Sequence, residues 1–136
     1  MASPEPRPPV RVLVVDDHEL FAAALRMYLS RDDRIRVVGV ASSGQEAIDL
    51  ALAEGAEVVL MDIFMRGMDG LEATKRLRSI RPETRVIVLT GLSGDEVGVE
   101  ARAAGADGHL QKGSVHEELV DAVLRVAAGE ALGPVQ

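Results

Sequence analysis

Short runs of aliphatic and β-branched residues alternate along this chain with stretches whose apolar residues recur at helical spacing. The runs VRVLVV, EVVLM and RVIVL are almost unbroken in their apolar character. That is the mark of parallel strands covered on both faces. Strands are expected at Val10–Val15, Ile35–Val40, Val58–Met61, Arg85–Leu89 and Gly108–Gln111. Helices are expected at Glu19–Ser30, Ser43–Glu54, Leu71–Ile80, Asp95–Ala104 and Ser114–Ala128. In the second helix Ala47, Ile48, Ala51 and Leu52 form the expected buried stripe, and Gly55 stops it. Gly98 weakens the fourth helix by about 1 kcal/mol relative to alanine. The result is an α/β chain, a (βα)5 doubly wound five-stranded parallel sheet with right-handed crossovers. Aromatic residues are only 2% of the chain, so Val, Leu, Ile and Ala must build the core.

A length of 136 residues fits one domain. Residues 1–9 hold four of the six prolines and read as a disordered leader. Residues 10–129 form the folded unit, and 130–136 start a linker or C-terminal tail. With no cysteine there is neither a disulfide framework nor a thiolate metal site. No apolar run reaches the ~18 residues that span a bilayer, so a cytoplasmic protein with no membrane partner is expected. A net charge of −7 argues against nucleic-acid binding by this unit.

In a doubly wound sheet, sites form at the carboxyl ends of the strands. The first strand delivers Asp16 and Asp17 there, the third Asp62, the fourth Thr90 and the fifth Lys112. Singly, each has an ordinary reading. An aspartate after a strand is usually a turn or cap residue, Thr90 a turn residue and Lys112 a surface lysine. Together they make three carboxylates, a hydroxyl and an ammonium at one edge. Clustered carboxylates repel, and a divalent cation relieves the repulsion. Oxygen-only donors suit Mg²⁺. Beside such an ion an aspartate can act as a nucleophile toward phosphorus, with the metal and a lysine neutralising the phosphoryl oxygens.

The stretches VLVVDDH, VLMDIFMRGMDGLEA, VIVLTG and GADGHLQKG resemble the receiver domain of two-component response regulators over about residues 10–129. The resemblance implies a flavodoxin-like sheet of order 2-1-3-4-5. It implies that Asp62 is the phosphoryl acceptor. Asp17 becomes a direct Mg²⁺ ligand, Asp16 one acting largely through water, and Phe64 a ligand through its backbone carbonyl. Thr90 and Lys112 become the phosphoryl-binding and switch residues. The implied partner is a sensor histidine kinase, with a small acyl phosphate as the other donor. DDH at the start and VAAGEALGP at the end are similar to the LuxR/NarL-type subfamily, which reaches DNA through a C-terminal helix-turn-helix domain absent from this chain. Phosphorylation is then expected to control transcription and to produce a homodimer. The chain is expected to be no enzyme beyond its own phosphorylation and dephosphorylation.

Some positions depart from the family pattern. Arg66 stands where proline is usual, and His109 stands at the switch position usually held by Tyr or Phe. Phe64 and Leu92 add apolar bulk that is expected to hinder the hydrolytic water. Other functions fit less well. A flavin carrier needs a glycine- and hydroxyl-rich phosphate loop after the first strand, where DDHEL offers acids. An aspartate-dependent phosphatase wants acids at i and i+2 after that strand, and here they are adjacent. A stand-alone receiver and a phosphorylation-independent pseudo-receiver acting as an interaction module are the remaining alternatives.

Overall fold

The structure is a computed structural model that describes residues 7–65, 67–91, 95–112 and 116–131, with only the backbone of residues 95–97 and 116–117. Most of the expected leader and tail, Arg66 and Leu92 therefore lie outside the described residues.

Five strands alternate with five helices: β1 (Val10–Val15), α1 (Glu19–Leu29), β2 (Ile35–Ala41), α2 (Gly44–Glu54), β3 (Val58–Asp62), α3 (Gly70–Ile80), β4 (Arg85–Thr90), α4 (Asp95–Ala103), β5 (Gly108–Gln111) and α5 (His116–Ala127). The strands form one parallel sheet in the order β2-β1-β3-β4-β5, as expected. Side chains alternate between its two faces. Val12 and Val14, Val58 and Leu60, and Ile87 and Leu89 pack toward α1 and α5. Leu13 and Val15, Val59 and Met61, and Val86 and Val88 pack toward α2 and α3, with Ala101 of α4 in the same cluster. Burial on both sides explains why these strands read as continuous apolar runs.

The element ends follow local chemistry. Ser43 caps α2 by accepting a hydrogen bond from the Glu46 N–H, while Ser42 N–H donates to the Glu46 carboxylate. Gly55 closes that helix at φ 62, a left-handed conformation that favours glycine. Asp69 caps α3 through the Glu72 N–H. One expectation fails on α2, where Leu52 is exposed and Leu50 is half-buried. The inward face runs through Gly44, Ala47, Ile48 and Ala51, and Leu52 falls just past its edge.

Two boundaries matter for the site. β3 includes Asp62, which pairs with Leu89, and Ile63 N–H still donates to the Leu89 carbonyl at 3.0 Å. Asp62 thus ends a strand rather than opening a loop. The chain then folds back tightly, with Gly70 N–H donating to the Ile63 carbonyl. A Cβ at Gly70 would lie 2.1 Å from the Asp62 carbonyl oxygen and 2.9 Å from Ile63 Cα. Only glycine fits between the start of α3 and the end of β3. Gly70→Ala is expected to lower stability by about 1–3 kcal/mol, read as an earlier midpoint in urea unfolding. Gly55→Ala, with open space around it and strain from φ alone, is expected to cost less.

Candidate functional site

Parallel register brings the acids together. Val15 of β1 lies opposite Met61 of β3, so the next residues, Asp16 and Asp62, leave adjacent strand ends side by side. Asp17 follows in the turn, half-buried. Asp16 and Asp62 are almost fully buried, at 2% and 1% exposure. β4 ends in Thr90, also buried. Beyond β5, Lys112 N–H donates to the Thr90 carbonyl at 2.7 Å, which anchors the lysine backbone beside β4.

The Lys112 ammonium reaches back across the edge. Nζ lies 2.7 Å from Asp16 Oδ2 and 3.4 Å from Asp62 Oδ2, and 4.8 Å above the Phe21 ring of α1. Each acid also accepts a local backbone bond: Asp16 Oδ1 from His18 N–H at 2.8 Å and Asp62 Oδ1 from Phe64 N–H at 3.3 Å. Asp16 Oδ2 and Asp62 Oδ2 are both buried, and each faces the Lys112 ammonium, Asp62 at the longer distance.

The two carboxyls therefore differ electrically. Burial, and then repulsion from Asp16, raise the pKa of Asp62, and Lys112 offsets this only in part. Burial acts on Asp16 too, but hydrogen bonds from Lys112 and His18 outweigh it and hold that carboxyl below the ordinary range.

Of the residues expected at the site, Asp16, Asp17, Asp62 and Lys112 converge as described, and Thr90 ends the neighbouring strand. Phe64 stands at the rim with its side chain exposed, lining an open cleft with Asp17, His18, Met65 and Asp69. His109 does not join the acid pocket. It lies opposite Val88, on the Thr90 side of the sheet, and its ring packs on α4, where a Cβ at Gly98 would come 2.6 Å from the imidazole. The glycine that weakens α4 on propensity grounds leaves room for that ring.

The residue that sequence reasoning missed is His18. Its Nδ1 lies 3.0 Å from Asp16 Oδ1, 3.5 Å from Asp17 Oδ1 and 3.4 Å from Lys112 Nζ. Its adjacency to two acids at a strand end was the available signal. Ligand atoms of Asp16, Asp17, His18 and Asp62 all lie within 4.8 Å of one another. The buried oxygens of Asp16 and Asp62, with the Asp17 carboxylate beside them, fit a divalent cation.

Residues 12–124 match the family model described as the response regulator receiver domain. The chain is 39% identical over 121 residues to the response regulator UvrY of Escherichia coli O6:H1, covering 89% of this chain and 56% of that protein. It is likewise 39% identical to the transcriptional regulatory protein LiaR of Bacillus subtilis, covering 89% and 57%. The chain thus spans little more than half the length of these relatives. Among solved structures, the signal receiver domain of NarL from Mycobacterium tuberculosis superposes with a TM-score of 0.87 at 37% identity, covering 91% of this chain and 100% of that one.

The electrical asymmetry predicts opposite responses. Asp62 binds its proton more tightly when folded, so its contribution to stability is present at low pH and lost as pH rises above the ordinary aspartate range. Asp16 contributes stability above that range and loses it as pH falls. In metal-free buffer at neutral pH, Asp62→Asn is expected to raise the urea midpoint and Asp16→Asn to lower it. Both differences are expected to shrink below about pH 4.

Proposed function

The chain is a receiver domain of the LuxR/NarL-type response regulators, and from that premise we propose that Asp62 is the residue that accepts the phosphoryl group. The observation that carries this reading is Asp62 Oδ2: buried, held only at 3.4 Å by the Lys112 ammonium where Asp16 Oδ2 is held at 2.7 Å, and beside two further acids. A carboxylate oxygen in that position is a poorly solvated nucleophile. It attacks phosphorus as the bond from phosphorus to the donor breaks, and the leaving group departs with the electron pair. With a kinase phosphohistidine the bond broken is P–N, and with a small acyl phosphate it is P–O. The product is an aspartyl phosphate on Asp62.

Lys112 faces the new phosphoryl oxygens and offsets their charge, and Thr90 donates its hydroxyl to them. Asp16, Asp17, Asp62 and the Phe64 carbonyl are the groups that would hold Mg²⁺. When bound, that ion neutralises charge that builds up on the transferring group. The reading makes the chain a signalling domain rather than an enzyme with an external substrate. Exposed Phe64 shields the cleft from the water that would hydrolyse the acyl phosphate.

Response regulators pair with sensor histidine kinases, and a kinase of that class is the donor this reading implies. The relay runs from Thr90 toward the contact of His109 with Gly98, so that α4 shifts on β5. A phosphoryl group moves this equilibrium only through its different interactions with the two arrangements. The consequence is a homodimer, and control of transcription through a DNA-binding output domain of the kind the LuxR/NarL type carries. Leu20 and Met27 on α1 and Val99 on α4 are the exposed apolar side chains on the two candidate dimer faces. Among the described residues no helix is long and apolar enough to cross a membrane, which accords with work in the cytoplasm.

Incubation with Mg²⁺ and a small acyl phosphate is expected to add one phosphoryl group by intact mass spectrometry. Asp62→Asn, or chelation of the metal, should abolish the adduct. No adduct, even with a cognate kinase, would point to the pseudo-receiver. Phe64→Asn is expected to shorten the adduct's half-life on the order of tenfold, a barrier change of about 1.4 kcal/mol, followed by mass spectrometry over time. An unchanged half-life would remove Phe64 from the account.

A further inference from the structure

Phe21 stands beside the pocket's ammonium, and the receiver reading gives it no task. It sits in the first turn of α1, half-buried against the core. Helical side chains lean toward the helix N-terminus, which carries this ring back over the strand ends. Lys112 Nζ lies 4.8 Å from the ring centroid, inside the roughly 6 Å over which a cation is attracted to an aromatic face. The lysine side chain is only 18% exposed, so water weakens this attraction little. The lysine also borders an apolar cavity of about 180 Å³, walled chiefly by Phe21, Ala24, Leu25, Leu89, Leu110 and Leu119. Among those side chains the ring attracts a cation and the aliphatic ones do not.

Two different forces therefore hold the ammonium. Asp16 Oδ2 holds it at 2.7 Å by a directional hydrogen bond. The ring face holds it by a quadrupole attraction that depends mainly on distance to the centroid. When Asp62 gains a phosphoryl group, the ammonium gives up part of the Asp16 contact to face the new oxygens. A hydrogen bond weakens steeply as it bends, whereas the attraction to the ring survives a small displacement. We infer that Phe21 is a positioning residue for phosphoryl acceptance: its ring face keeps the Lys112 ammonium at the pocket while that group passes from Asp16 to the phosphoryl oxygens. The inference rests on Asp62 as the acceptor and adds the group that steadies its cation. Phe21 acts through Lys112 rather than on the reacting atoms. An aromatic face is what the role requires, and aliphatic bulk does not replace it.

The test uses the full chain with phenylalanines carrying one, two or three ring fluorines placed at position 21 alone. Fluorine drains electron density from the ring face and barely alters the ring's size, so packing is kept while the attraction fades. With Mg²⁺ and a small acyl phosphate, the rate of adduct formation is expected to fall stepwise with each fluorine, on the order of fivefold in all. Phe21→Leu is expected to fall as far, and Phe21→Tyr to stay within about twofold of the wild type. A second readout needs neither metal nor phosphoryl donor. In metal-free protein the ring current is expected to shift the Lys112 Cε protons upfield in the NMR spectrum, and Phe21→Leu to remove that shift. Rates indifferent to fluorination, or Lys112 protons unshifted in the wild type, would overturn the role of Phe21 and leave Asp62 standing as the acceptor. No adduct on the wild-type chain, even with a cognate kinase, would overturn the acceptor reading and this inference with it.

Discussion

Asp16 and Asp62 leave adjacent strands side by side, and the Lys112 ammonium makes it tolerable to bury both. Taking two like charges out of water is costly, and one cation 2.7 Å and 3.4 Å away offsets part of that cost. The offset is unequal, because Asp16 holds the shorter contact and extra bonds from His18. Asp62 is left as the strained member of the pair. The pocket's chemistry follows from that inequality: the acid least satisfied by the protein is the one with most to gain from a cation or a phosphoryl group.

The arrangement depends on parallel register at two places. Between β1 and β3 it sets Asp16 beside Asp62. Between β4 and β5, continued by the bond from Lys112 N–H to the Thr90 carbonyl, it brings the ammonium to the same edge. A slip of one residue in either pairing would turn the side chains to the opposite face. The apolar runs on both faces guard against that slip, since Val12, Val14 and Leu60 belong to one core and Val15, Val59 and Met61 to the other.

Much of this was legible from the residues. The strands announced themselves as apolar runs, and their carboxyl ends supplied the site groups in order. Strand order came from family resemblance, because periodicity carries no information about which strands are neighbours. The apolar run of β3 stops at Met61, but hydrogen bonding extends the ladder through Ile63 and is invisible to hydropathy. Leu52 misled for a related reason, since a leucine at the margin of an inward stripe carries no mark of its angular position. Gly98 read as a flaw in a helix, and only the three-dimensional contact shows His109 filling the space. A histidine at a helix start has an ordinary reading as a solvated residue, and the direction of the His18 ring toward Asp16 is a tertiary fact.

Lys112 belongs to two structures at once. Its backbone is bonded to Thr90 and extends the sheet, while its side chain spans the pocket and lies over Phe21 of α1. The side chain can exchange one anion for another through rotation of its own bonds, without breaking the ladder beneath it. It works as a pointer on a fixed pivot. A change in the pocket's charge is therefore met by movement of one side chain and draws little on the cohesion of the sheet.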